Sequence, residues 1–256
     1  MMMSYARYPS LADRVVIVTG GASGIGASMV MHFVEQDAKV AFLDIDIGAG
    51  NDLASALAER VRHPPRFLGC DLCDIGALQS AIERIRLQLG PASVLVNNAA
   101  NDRRHDQAAV SVESFDTGIA INLRHQFFAA QAVAPDMRAL GGGSIINLGS
   151  ISWMIKEGGM PVYTTSKAAI QGLTRSLARS LGPHGIRVNT LVPGWVMTEK
   201  QLRLWVDEAG IRRIEESQCL PGRLEPGDIA RMALFLAADD SRMCAAQDFI
   251  VDGGWT

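Results

Sequence analysis

The chain has 256 residues, 48% of them apolar, which suits one α/β domain with a large buried core. Its 24 Lys and Arg stand against 27 Asp and Glu, a net charge of −3, leaving no electrostatic footprint for nucleic acid or an anionic membrane and pointing to a small-molecule ligand. Met1–Arg7 holds no leader-like apolar run, no stretch nears the ~18 apolar residues of a membrane span, and Cys70, Cys73, Cys219 and Cys244 are too few for a disulfide framework, so a reduced, cytoplasmic protein is expected.

Strand-like runs alternate with helix-length segments along the chain. Arg14–Thr19 is β-branched and almost wholly apolar, as a strand covered on both faces should be. A glycine-rich turn leads into a helix running to about Gln36. Lys39–Leu43 reads as a second strand and Ala49–Arg62 as a helix with apolar positions near period 3.6. Arg66–Cys70, Val94–Asn97, Ser144–Leu148, Arg187–Val192 and Phe249–Val251 read as five more strands. Helical patterns over Ile75–Leu89, Ser111–Leu140, Val162–Leu181 and Pro226–Ala238 separate most of them. Seven strands with helical crossovers predict a parallel, doubly wound sheet flanked by helices. No linker divides residues 1–256, so a single domain is expected. Trp195–Arg223 alone breaks the rhythm, and because it follows the sixth strand it is read as a substrate lid over about 195–223.

Thr19–Gly26 follows the first strand directly and opens the first helix. Its glycines Gly20, Gly24 and Gly26 permit a tight turn, and the helix start offers free N–H groups to a pyrophosphate. Asp44 ends the second strand, eighteen residues after Gly26, where a carboxylate accepts hydrogen bonds from ribose hydroxyls and repels a 2′-phosphate. Ile45, Asp46 and Ser23 add no cation, so NAD is expected over NADP. Cys70 and Cys73 form a C-x-x-C without a second ligand pair or an electropositive helix start, and no metal is expected there.

Tyr163 and Lys167 lie four residues apart, on one face of the helix read there. A phenol is a poor base near neutrality, and neighbouring positive charge is what favours phenolate. Ser150, thirteen residues upstream at a strand end, can bond the substrate oxygen. Together these residues suit proton removal from an alcohol as hydride leaves its carbon.

With these motifs in view the sequence resembles the short-chain dehydrogenase/reductase family over nearly its whole length, which implies a single-domain Rossmann-type fold. Thr19–Gly26, with Ser23 and Ile25, looks like the family's glycine motif, and Asn97–Ala100 resembles its N-N-A-G segment with Ala100 in place of glycine, making Asn98 and Ala99 cofactor contacts. Asp71 and Leu72 resemble the adenine-contacting pair, and Pro193–Thr198 the P-G-x-x-x-T stretch over nicotinamide, implying contacts from Pro193, Gly194, Val196 and Thr198. Ser150, Tyr163 and Lys167 sit at the family's catalytic spacing, and Lys167 is implied to lower the tyrosine pKa and hold the nicotinamide ribose. Asn122 matches a fourth catalytic residue, whose backbone helps hold a water linking Lys167 to solvent.

Finer resemblance, in Asn98–His105, Asn122–His125, Gly149–Trp153, Gln218–Leu220 and Val251–Trp255, is to bacterial NAD-dependent aldose 1-dehydrogenases, the D-xylose enzymes among them. It implies oxidation of a cyclic pentose to an aldonolactone, with Asn101, Ser152, Trp153 and Gln201 as candidate sugar contacts beside Ser150 and Tyr163. A polyol or other secondary-alcohol dehydrogenase, and a non-catalytic NAD-binding regulator, are the alternative readings. Arg103, Arg104 and His105, with Arg124 and His125, read equally as substrate contacts, an interface or a solvated loop. Cys219 reads as a small buried residue. Family resemblance further implies a homotetramer packed through Ser111–Leu140 and Val162–Leu181.

Overall fold

A computed structural model describes residues 5–256; Met1–Ser4, the start of the segment read for a leader, lie outside the described residues. Seven parallel strands form one sheet: β1 (Val15–Thr19), β2 (Lys39–Asp44), β3 (Arg66–Gly69), β4 (Val94–Asn97), β5 (Gly143–Leu148), β6 (Ile186–Pro193) and β7 (Asp248–Val251), in spatial order β3-β2-β1-β4-β5-β6-β7. The chain winds outward from β1 to β3 and returns to start again at β4. The β1–β4 seam, with Val16 opposite Val94 and Thr19 opposite Asn97, is therefore where the winding reverses. Such a seam opens a crevice beyond the carboxyl ends of the strands.

Both faces of the sheet are covered, which explains the continuous apolar runs. Successive residues of β1 point to opposite sides. Val16 and Val18 join a core with Phe33, Phe42 and Leu234, while Val15 and Ile17 join one with Leu95, Ile82 and Met137. Burying each such side chain contributes roughly 1.5–3 kcal/mol, so β1 is anchored from both faces.

The helices begin where local chemistry predicts. In α1 (Gly24–Val34) Ser23 occupies the cap position, and α2 (Ile47–Ala58) is capped by Asp46, which accepts from the Ala49 N–H at 3.0 Å. Asp74 caps α3 (Ile75–Leu89), which buries Leu78, Ala81, Ile82 and Ile85 at helical spacing and stops at Gly90. The stretch Ser111–Leu140 is not one helix. It divides into α4 (Val112–Ile119), a π-helical turn over Ala120–Arg124, and α5 (His125–Ala139). The turn is centred on Asn122 and joins α4, which buries none of its residues, to α5, which buries several. A single-turn π segment in a helix commonly marks a functional position. α6 (Pro161–Leu181) opens on a proline and follows a short 3₁₀ turn, Ile151–Trp153.

The excursion after β6 holds α7 (Glu199–Leu204) and α8 (Glu208–Ser217) before α9 (Pro226–Ala237) returns to the sheet. Its neck is closed by the Met197 N–H donating to the Leu224 carbonyl at 2.8 Å, within a short bridge between Val196 and Leu224. Residues 195–223 thus project as a loop pinned at its base, beside the crevice. No helix among the described residues is long and apolar enough to cross a membrane.

Candidate active site

One cleft of about 1220 Å³ runs along the carboxyl edge of the sheet, from Asp44 and Asp71 at one end to Tyr163, Gln201 and Trp255 at the other. Its first third is backbone. Gly20 adopts φ +64°, and a side chain there would meet the Ala99 Cα at 2.7 Å; one at Gly26 would come within 1.9 Å of the Gly20 carbonyl. Only glycine lets the turn close this tightly. The Asn98 amide braces it by donating to the Thr19 and Gly20 carbonyls at 3.0 and 2.8 Å, while the Thr19 hydroxyl accepts from the Asn98 and Ala99 N–H groups. The start of α1 is exposed to the cleft through Ser23, Gly24, Ile25 and Gly26, with no acidic residue in its first turn. Free N–H groups and the positive end of the helix make this a cradle for phosphate.

Asp44 carries one backbone partner on each oxygen, the Ala22 N–H at 2.9 Å and the Asp46 N–H at 3.1 Å, which leaves lone pairs for a ligand. Beside it the wall is Ile45, Asp46, Ala49, Asp71 and Leu72, without a cation. Cys70 and Cys73 also border this end as free thiols. Burial, with Asp71 and Asp74 close by, pushes the Cys70 thiol up to about 11, and burial and Asp71 raise Cys73.

The reactive end is carried by β5 and α6. The Ser150 hydroxyl accepts from the Ser152 N–H at 3.1 Å, capping the 3₁₀ turn, and shares the cleft wall with the Tyr163 phenol. Tyr163 and Lys167 are successive steps on the inner face of α6, with the Lys167 ammonium 5.5 Å from the phenol ring centre. Lys167 is 2% exposed, and its Nζ donates to the Leu148 carbonyl at 2.7 Å. Burial pushes its pKa down to about 7, against the pull of the Asp102 carboxylate. Burial likewise raises the Tyr163 phenol, the Ser150 hydroxyl lowers it and Asp102 adds to the rise.

Asn122 stands behind this end, not in the cleft wall. Its side-chain oxygen accepts from the Asn101 N–H at 2.8 Å and its amide donates to the Gly118 carbonyl at 3.0 Å, which ties the π-helical turn to the loop after β4. His125, fully buried, has Nε2 3.2 Å from the Ala99 carbonyl, and burial together with Lys167 pushes its pKa down to about 4. It is a neutral brace for the cofactor-side backbone.

The sugar contacts expected from the sequence fare unevenly. Asn101, Ser152 and Gln201 line the cleft, as do Pro193, Gly194, Val196 and Thr198. The Ser152 hydroxyl is buried without a partner among the described residues. The Gln201 amide is already engaged at both ends, accepting from Trp195 Nε1 at 3.0 Å and donating to Asp102 at 2.6 Å. Trp153 does not line the cleft, because the 3₁₀ turn capped by Ser150 carries it out of the wall while Ser152 stays in it; its indole N–H is buried without a partner among the described residues. The aromatic walls are instead Trp195 and Trp255, the latter beneath the Arg213 guanidinium, which also pairs with Glu157 at 2.6 Å. Trp255 is held there because Cys219 and Leu220 donate their N–H groups to the Gly253 carbonyl. Cys219 itself is exposed rather than buried, its thiol turned to the Gly254 carbonyl at 3.3 Å.

The basic segments part company. Arg104 lies over the Trp205 ring at 4.4 Å and borders the cleft, Arg103 is exposed, the His105 N–H bonds the Gly159 carbonyl, and Arg124 reaches the Cys73 carbonyl at 2.8 Å.

Comparison with known proteins meets this geometry. A family profile described as enoyl-(acyl carrier protein) reductase matches residues 20–256. A protein of Rhizobium meliloti strain 1021 described as a probable galactose dehydrogenase is 46% identical over 254 residues, 99% of each chain. The D-xylose 1-dehydrogenase of Caulobacter vibrioides is 45% identical over 255 residues, 99% of this chain and 100% of that one. Among solved structures, a blue fluorescent protein from a metagenomic library in complex with NADPH superimposes with a TM-score of 0.88 at 34% identity, covering 96% of this chain and 99% of that one. The glycine cradle at the β1–β4 seam, the Ser150–Tyr163–Lys167 cluster and this full-length similarity lead to one conclusion: the chain belongs to the short-chain dehydrogenase/reductase family, oxidoreductases that act on CH–OH groups with a nicotinamide cofactor.

Proposed function

We propose that the protein oxidises the anomeric carbon of an aldose, a pentose such as D-xylose, to the aldonolactone with NAD. The observation that carries the reading is the Ser150–Tyr163–Lys167 cluster at one end of a cleft whose other end is the uncharged-to-acidic wall around Asp44. The named activities of the galactose and xylose relatives support a cyclic sugar as substrate. Asp44 supports NAD, since a 2′-phosphate would face its carboxylate, Asp46 and Asp71 with no cation in the wall.

The dinucleotide fits the residues present: glycines that a Cβ would overfill, free N–H groups at the start of α1, and a carboxylate with spare lone pairs. When bound, its nicotinamide ring accepts the hydride at C4. Gly20, Ser23, Gly24, Ile25 and Gly26 hold the pyrophosphate, Asp44 and Ile45 the adenosine ribose, Asp71 and Leu72 the adenine. Asn98, Ala99, Pro193, Gly194, Val196 and Thr198 face the nicotinamide half. Tyr163 oxygen takes the hydroxyl proton of the sugar, and Ser150 donates a hydrogen bond to the same oxygen as charge develops. Lys167, when protonated, favours the phenolate and binds the nicotinamide ribose, and Asn122 holds the backbone turn through which the proton leaves. Asn101 and Ser152 offer the ring a backbone-braced amide and an unpartnered hydroxyl.

Free thiols at all four cysteines suit a reduced cytoplasm. Exposed Val112, Phe115 and Phe127 on α4 and α5 support assembly as a homotetramer through these helices and α6. The deciding experiment is a spectrophotometric assay of reduced cofactor with D-xylose, L-arabinose, D-galactose and alditols, each with NAD and with NADP. Turnover of aldoses with NAD is expected; turnover of alditols alone moves the reading to a polyol dehydrogenase, and faster turnover with NADP overturns the cofactor assignment.

A further inference from the structure

We propose that Asp102 is a positioning residue of the substrate site, the anchor that holds α7 down over the catalytic end of the cleft. Asp102 lies in the loop after β4, far in sequence from the excursion after β6 that carries α7. Its side chain is 26% exposed, and a carboxylate so far withdrawn from water needs donors. Both donors come from the first turn of α7: Lys200 Nζ at 2.5 Å on one oxygen and Gln201 Nε2 at 2.6 Å on the other. Gln201 passes the contact on, accepting from Trp195 Nε1 at 3.0 Å. A continuous polar chain therefore runs Lys200–Asp102–Gln201–Trp195, from the end of β4 to the segment after β6.

The helix it holds has little else to keep it in place. α7 buries none of its six residues, and Leu202 and Leu204 are each 48% exposed. Apolar packing that seats every long helix of the fold is absent here, so position must come from polar contacts at its two ends. Asp102 supplies the one at the start, and the Arg104–Trp205 stacking the one after its end. Burial works to raise the Asp102 carboxyl, yet Lys200 and Gln201 together hold it below the ordinary carboxylate range, so the anchor stays charged through neutral pH.

Asp102, Trp195, Lys200 and Gln201 all line the cleft beside Tyr163, so the anchored helix is itself a wall of the sugar site. When α7 lifts, Gln201 and Thr198 move with it. A substrate would then bind to a site that must first be rebuilt, which raises KM and leaves the chemistry on α6 alone.

The test compares Asp102→Asn, which keeps the shape and loses the charge, with Lys200→Met, which breaks the other end of the same contact. Hydrogen exchange on the protein without cofactor or sugar is read over residues 199–204 and, as a control, over α6. Both variants are expected to speed exchange in 199–204 by about tenfold with α6 unchanged. In the assay above both should raise the sugar KM by about tenfold while kcat moves less than about threefold. Unchanged exchange in either variant overturns the anchor. A KM raised by Asp102→Asn alone, with exchange unaltered, makes Asp102 a direct sugar ligand instead. Because exchange needs no substrate, faster exchange in a protein that turns over no sugar would uphold the anchor and sink the proposed function.

Discussion

The two ends of the cleft are built by different means. At the cofactor end the ligand-facing groups are mostly backbone, delivered by consecutive residues 19–26 and locked by Thr19 and Asn98. At the substrate end they are side chains from places far apart in the chain: Asp102, Ser152, Trp195, Gln201, Arg213 and Trp255. A backbone cradle tolerates almost no change in the residues that form it, and its signature is local in sequence. A wall of side chains can be altered one piece at a time, which is how a single scaffold accommodates different alcohols. The difference teaches where specificity can change without loss of the hydride chemistry.

The sharpest way to break the comparison is at the junction of the two ends. Tyr163→Phe removes the oxygen proposed to take the substrate's proton while leaving the cradle untouched. Turnover should fall by about 10²–10⁴-fold, with the dissociation constant for NADH, read by fluorescence titration, changed less than about threefold. Parallel loss of both would mean that the phenol holds the cofactor instead of doing chemistry.

Lys167 offers the next largest effect, and on stability as well as rate. Its pKa falls from 10.5 in the unfolded chain to about 7 in the fold. Between those values the unfolded chain binds more protons, so stability contributed by this site rises with pH across the window and is lowest at and below 7. Lys167→Met should therefore stabilise the cofactor-free protein by roughly 1–4 kcal/mol at pH 7 and by almost nothing near pH 10, while turnover is lost. Thermal melts at the two pH values check the sign. A gain equal at both would show that the melt reports packing, not charge.

At the cofactor end itself, Asp44→Asn removes the charge and keeps one of the two backbone contacts, since an amide nitrogen cannot accept from an N–H. The KM for NAD should rise by about tenfold and that for NADP should fall, so the preference narrows from both sides. Steady-state constants for both cofactors measure it, and an unmoved NADP value would place the discrimination elsewhere in the wall.

Most of this architecture was legible because the physics behind it is local. Ile75–Leu89 and Val94–Asn97 have the boundaries that capping, glycine stop and β-branched runs predict, and other strands shift by a residue at one end or both. The long stretch Ser111–Leu140 hid its break because no proline or glycine marks the π-helical turn, and the signal present, the buried Asn122, reads as chemistry before it reads as geometry. Asp102 gave no signal at all. Its partners lie 98 and 99 residues away, and no spacing rule pairs a loop carboxylate after β4 with the first turn of a helix after β6. Gln201 lines the cleft as the sequence led us to expect, and its bonds to Trp195 and Asp102 could be seen only in the structure. Trp255 was visible only as part of a C-terminal motif, because the Gly253 bonds that bring it to the wall cross from residues 219 and 220.

The smallest expected effect sharpens the comparison most. Trp153 and Trp255 are the same residue type, and each is next to a segment that lines the cleft, yet only Trp255 is in the wall. Trp153 hides an indole N–H without a partner among the described residues, a group whose burial costs about 1–3 kcal/mol when nothing bonds it. Trp153→Phe removes that group and keeps most of the ring. Sugar KM should stay within about twofold, and stability should hold or rise by up to about 1 kcal/mol. Trp255→Phe changes a surface that faces the ligand, so its effect falls on KM, with stability nearly unchanged. Measured side by side, the pair separates an aromatic that packs from one that recognises. A larger KM change at Trp153 than at Trp255 would mean that the substrate end is bounded by the 3₁₀ turn and not by the chain's last residues.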